Sequence, residues 1–185
     1  AIQATNELLA RGVALYRTEF PFEDSSRTFE AGTFLLPADA RLAEDVAQKY
    51  GLEVAALASR PEGATPLRQP RIVAMLPAAG WNLLGRLGFR FDALSLQDLN
   101  AGPDLAAYDV LVNDTVSLSY TGLGPKGQKS LTGFFAAGGD YVGLSAGGAE
   151  LARELGVMAF SAYNPPGNSI VRVDLAAGDP VAAGF

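Results

Sequence analysis

Asp140-Tyr141-Val142-Gly143-Leu144-Ser145-Ala146-Gly147-Gly148-Ala149 is the stretch that decides the fold. Its first five residues read as a buried strand, and a helical pattern around 149–155 follows with almost no spacer. A strand that turns at once into a helix needs small residues where the two cross. Gly143-Leu144-Ser145-Ala146-Gly147 supplies them in the order G-x-S-x-G. That is the pattern of a nucleophile elbow, in which a serine sits in a sharp turn at the end of a strand. Amides at the start of the following helix, Ala146's among them, can stabilise an oxyanion. The same composition also follows from packing alone, because a sharp strand-to-helix crossing tolerates little besides Gly and Ser.

Upstream, the alternation repeats. Ile72-Val73-Ala74-Met75-Leu76 is a continuous apolar strand and 81–87 a short helix. Phe89-Arg90-Phe91-Asp92-Ala93-Leu94 and Asp109-Val110-Leu111-Val112-Asn113 are further strands. Pro125 opens a helix that stops at Gly138-Gly139. Apolar strands separated by helices predict an α/β fold with a parallel, doubly wound sheet. Ligands of such sheets bind outside the carboxyl ends of the strands. The candidate binding residues there are Trp81 and Asn82 after the first strand, Asp114 and Thr115 after the third, and Tyr120 and Gly122 in the long loop. With Ser145 they can line a cleft; Trp81 serves equally well to pack its helix on the sheet. Gly122-Leu123-Gly124-Pro125-Lys126-Gly127 spells G-x-G-x-x-G. A dinucleotide site needs that motif directly after a strand, and here a polar loop intervenes. A glycine loop with proline in the first helical turn is the better account.

The first 58 residues form a small α/β segment. Leu8 and Leu9 lie in a helix stopped by Gly12, followed by a strand Val13-Ala14-Leu15-Tyr16. Glu23-Asp24-Ser25-Ser26 reads as a turn, and Thr33-Phe34-Leu35-Leu36 as a strand. Leu42, Val46 and Tyr50 recur every four residues, which is one face of a helix with Gly51 as its stop. Residues 59–70 hold three prolines and a glycine, which suits a linker and excludes a helix or a central strand.

Composition narrows the chemistry. The 185 residues carry 14 Lys and Arg against 20 Asp and Glu, a net charge of −6, and contain neither Cys nor His. Without Cys there is no disulfide framework or thiolate nucleophile. Without His there is no imidazole base and no His-ligated zinc. Only carboxylates remain as metal ligands, and they are dispersed, so no zinc site or other cofactor is expected in this chain. An acidic balance without a basic cluster argues against nucleic acid as a partner. No apolar run reaches the length of a membrane span. The start, Ala1-Ile2-Gln3-Ala4, lacks the charged and apolar regions of a signal peptide, and together with the stop at Gly184-Phe185 it reads as a piece of a longer protein. A serine without a neighbouring base is a poor nucleophile; Lys49, Lys126 and Lys129 are the only lysines, and nothing in their spacing aims them at Ser145.

Residues 71–173 resemble the class I glutamine amidotransferase-like domain, which implies a flavodoxin-like sheet over 71–185 with the nucleophile position in the elbow. Active members of that family carry Cys at the position of Ser145 and a later His-x-Glu pair. Serine relatives of the dipeptidase E type carry a Ser-Ala-Gly elbow like Ser145-Ala146-Gly147. A second resemblance spans most of the chain. Ala31-Gly32-Thr33-Phe34, Leu67-Arg68-Gln69-Pro70-Arg71-Ile72, Tyr108-Asp109-Val110-Leu111-Val112 and Gly167-Asn168-Ser169-Ile170-Val171-Arg172-Val173 look like the C-terminal region of exported bacterial zinc carboxypeptidases of the carboxypeptidase A type. That implies an upstream peptidase domain as intramolecular partner, zinc held there, and a secreted or extracytoplasmic location. The expectation is a non-catalytic accessory module, with small-molecule binding at the strand ends as one role. The alternative is a serine hydrolase using Ser145, with its His beyond Phe185.

Overall fold

Ile72–Met75 (β6) is buried along its whole length, as an apolar strand at the centre of a sheet must be. The computed structural model describes residues 1–115, 118–156 and 159. They fall into two units, the first holding residues 1–69 and the second beginning at Pro70.

In the second unit the elements after β6 are α3 (Ala78–Arg86), β7 (Phe91–Ala93), α4 (Leu96–Ala101), β8 (Val110–Asn113), α5 (Pro125–Ala136), β9 (Asp140–Gly143) and α6 (Ser145–Glu154). The four strands are parallel, in the order β7-β6-β8-β9. This is an α/β architecture with a four-stranded parallel sheet flanked by helices. In-register rows assign the faces. Val73, Leu111 and Tyr141 share a row, and this side packs into a core with Leu99, Leu131, Phe134 and Leu151 of α4, α5 and α6. Ala74, Val112 and Val142 share the opposite side, where Ile72, Ala74 and Val112 pack with Leu76 and Phe91. There α3 contributes Trp81, whose ring meets Phe91 edge-on at 5.5 Å. Coverage of the two faces is unequal. No residue of α3 is buried, whereas Leu99, Leu131 and Leu151 are wholly inaccessible. At the other end of the strands, Arg71 donates from its backbone and guanidinium to Asp109, which ties the starts of β6 and β8.

Helix α4 was not anticipated from sequence. Six residues carry too few apolar repeats to register, yet Ser95 and Asp98 form a reciprocal capping box and Leu99 anchors the helix in the core.

The first unit contains α1 (Ile2–Ala10), β1 (Tyr16–Thr18), β2 (Phe22–Asp24), β3 (Arg27–Phe29), β4 (Phe34–Leu35), α2 (Ala40–Tyr50) and β5 (Ala64–Pro66). Strand β1 begins later than its apolar run suggests, because the Val13 amide is used to close α1 on the Leu8 carbonyl. The segment read as a plain turn is a hairpin. Ser25 and Ser26 take φ of 49° and 68°, the left-handed pair that a two-residue connection requires, and Phe22 stacks on Phe29 across it. The proline-rich stretch carries β5, which pairs with β1 at the edge of the sheet β4-β1-β5, where proline is tolerated. Asp39 caps α2 through the Arg41 and Leu42 amides, and Gly51 ends it in the left-handed conformation.

Between α1 and α2, Glu7 accepts from Lys49 and from the Tyr50 hydroxyl. The Lys49 hydrogen bond, then that of Tyr50, holds the Glu7 carboxyl below its ordinary 4.5. A depressed carboxylate stabilises the fold fully above that value and loses its contribution as pH falls through the lowered one. Glu7→Gln should therefore flatten the acid limb of the denaturation midpoint, measured from pH 6 down to pH 3, relative to the unsubstituted chain. A second expectation concerns α5. A Cβ on Gly133 meets nothing within 4 Å, whereas one on Gly139 would lie 2.3 Å from the buried Phe134 ring. Gly133→Ala should stabilise by about 0.5–1 kcal/mol, and Gly139→Ala should destabilise by about 1–3 kcal/mol in urea titrations.

Candidate functional site at the carboxyl edge of the sheet

Strand β6 continues to β7 on one side and has β8 on the other, so the chain reverses direction across the sheet between β6 and β8. The crevice beyond that reversal is the usual ligand position of an open parallel sheet. The turn into α3, Asp114 and Thr115 after β8, and the β9–α6 elbow lie at that end of the strands.

The elbow is built from close backbone contact. Leu144 donates its amide to the Asn113 carbonyl at 2.7 Å, and the helix begins at Ser145. A Cβ on Gly148 would stand 2.7 Å from the Asn113 carbonyl oxygen and 2.7 Å from the Gly143 backbone. One on Gly143 would stand 2.7 Å from the Gly148 oxygen. Both glycines are thus required by sterics. Among the described residues no side chain caps α6, and the first amides of a helix have no partner within it.

Asp114 and Thr115 follow β8 directly. The Asp114 amide donates to the Met75 carbonyl at 2.9 Å, which places Asp114 beside the end of β6. The Thr115 amide donates to Asn113 Oδ1. Together with the backbone of Ser145 and Ala146 these residues form one group at the ends of β8 and β9. Trp81 is committed to packing: its Nε1 donates to the Leu76 carbonyl at 2.9 Å and its ring abuts Phe91. Asn82 is exposed on α3. Tyr120 does not join the group. Its amide is held by Glu154, which lies nine residues, about 13 Å of helix rise, beyond Ser145, and its ring packs against the main core. Gly122 belongs to a tight turn in which its amide bonds Ser119.

The G-x-G-x-x-G glycines are accounted for by helix packing. Gly124 is the N-cap of α5 and its amide bonds Asn100 Oδ1, while a Cβ on Gly127 would come within 3.0 Å of the Leu99 carbonyl on α4.

Two residues at this edge escaped sequence reading. Asn113 is fully buried, and its Nδ2 donates to the Tyr141 hydroxyl, which donates to the Gly148 carbonyl at 2.7 Å. Burial raises the Tyr141 ionisation above its ordinary value, so the phenol keeps its proton. The faint signal in the sequence was a polar residue closing the apolar run Val110-Leu111-Val112-Asn113.

A groove of about 430 Å³ lies elsewhere, between α1 and α2 of the first unit. Its central polar groups, Glu7, Lys49 and Tyr50, are paired with one another, so the sheet edge remains the stronger candidate. Among the described residues no group of three or more His, Cys, Asp or Glu is placed to hold a metal, and no helix is long and apolar enough to cross a membrane.

Gly148→Ala should destabilise the second unit by about 3 kcal/mol, the upper end of the usual overpacking cost, because a backbone carbonyl cannot rotate away as a side chain can. Chemical denaturation of the variant beside Gly133→Ala provides the comparison. No protein-family model, curated protein or solved structure matches the chain.

Proposed function

We propose that the chain is a non-catalytic amidotransferase-like module, acting by ligand binding or interdomain packing beside a peptidase domain of the same polypeptide. One observation carries this reading. A sterically fitted strand–turn–helix elbow presents Ser145 at the start of α6, in a chain with no His or Cys. A hydroxyl needs an adjacent base to attack. The remaining candidates within the second unit are Lys126 and Lys129, and Lys126 packs its stem beside Gly102, in the contact between α4 and α5. The strand order β7-β6-β8-β9, with helices on both faces, supports a flavodoxin-like fold. The resemblance to exported zinc carboxypeptidases supports the peptidase partner, zinc confined to that domain, and an extracytoplasmic location.

The start of α6, which no side chain of the described residues caps, favours a second reading, a serine hydrolase of the dipeptidase E type, since amides at a helix start suit an oxyanion. Glutaminase and esterase assays separate the two. The chain and its Ser145→Ala variant should both match the buffer rate. Turnover that disappears in Ser145→Ala would overturn the accessory reading in favour of the hydrolase.

A further inference from the structure

We propose that Asn113 and Tyr141 are positioning residues that couple the Asp114–Thr115 segment to the first turn of α6, so that these two parts of the carboxyl edge move as one body. This deepens the reading of that edge as the binding site, although the coupling itself needs no ligand to be observed.

Both ends of the buried Asn113 carboxamide are engaged. Oδ1 accepts from the Thr115 amide at 3.1 Å, and Nδ2 donates to the Tyr141 hydroxyl at 3.1 Å. That hydroxyl in turn donates a hydrogen bond to the Gly148 carbonyl at 2.7 Å. The chain of bonds therefore runs from the segment after β8, through β8 and β9, into α6. Little slack exists along it. Asn113 is wholly inaccessible and the Tyr141 ring is held edge-on by Phe135 at 5.9 Å. The Gly143–Gly148 contact leaves no space for the helix start to approach further. A tyrosine needed only for packing could be phenylalanine; here the hydroxyl is the central link. Losing it leaves the Asn113 Nδ2 donor without this partner in the interior and removes the second bond on the Gly148 carbonyl, which keeps its helical one. A shift of the α6 start must then be felt at Thr115, and the reverse.

Hydrogen exchange of the full chain, followed amide by amide, tests the coupling. In Tyr141→Phe the Thr115, Leu144 and Gly148 amides should all exchange faster, by about five- to tenfold, the effect of one ordinary hydrogen bond. The amides of Leu131 and Phe134 in α5 should keep their rates. Faster exchange at Leu144 and Gly148 alone in Tyr141→Phe would reduce the network to a local strut and overturn the proposal. So would an equal rise at every amide including those of α5, which would signal global destabilisation, or no change at all.

Discussion

Three backbone segments meet at the elbow with no room for a side chain between them: the end of β8 at Asn113, the end of β9 at Gly143, and the first turn of α6 at Gly148. The rest of the second unit depends on that contact. It sets how closely α6 lies against the sheet, and so how deeply Leu151 enters the core with Leu131 and Phe134. Protein interiors are close-packed, so a helix held away by even one methyl group opens space that its neighbours do not fill without strain. The same proximity brings the Gly148 carbonyl within reach of Tyr141, whose hydroxyl donates to it while accepting from Asn113.

Glycine does similar work a second time on the same face. Gly127 lets α5 approach the Leu99 carbonyl of α4, and Gly124 receives Asn100 at the helix start. Two motifs that suggest chemistry, one for a nucleophile and one for a dinucleotide, are both satisfied by backbone proximity. They differ in position. The elbow opens onto the edge where parallel sheets take ligands, whereas the α5 glycines are turned into a contact between helices. Position in the fold, more than the spelling of the motif, makes the elbow a candidate site.

The parallel sheet was legible because short, largely apolar runs alternate with helical patterns, and 72–76, 109–113 and 140–144 each lie within one residue of β6, β8 and β9. Short elements were not. The β2–β3 hairpin has three-residue strands joined by Ser-Ser in place of the usual glycine-bearing turn, and α4 rests on a cap and one buried leucine. Strand β5 was hidden by Pro61, Pro66 and Pro70, since proline argues against a central strand but not against an edge. At the site, Ser145, Asp114 and Thr115 were legible because they follow strands directly. Tyr120 and Gly122 are further along the loop, and nothing in its sequence signals that the Tyr120 amide is held by Glu154 or that Gly122 closes a turn on Ser119. Asn113 and Tyr141 carry no motif. A tyrosine in a strand reads as core, and only the register that pairs Leu111 with Tyr141 shows its hydroxyl beside Asn113.

The unequal coverage of the sheet bears on how the molecule behaves in solution. Among the described residues β9 is an edge strand, and Val142 on its thinly covered side is 43% exposed, with Leu144 at 38%. A short edge with apolar neighbours is a template for pairing with another chain. Mutual repulsion from the net charge of −6 opposes that encounter. Salt shortens the reach of the repulsion to about 8 Å at physiological ionic strength, and it leaves the attraction between apolar surfaces intact. Added salt therefore weakens the repulsion while leaving the attraction between exposed apolar residues, so at this edge of the described residues dilute buffer favours separate molecules.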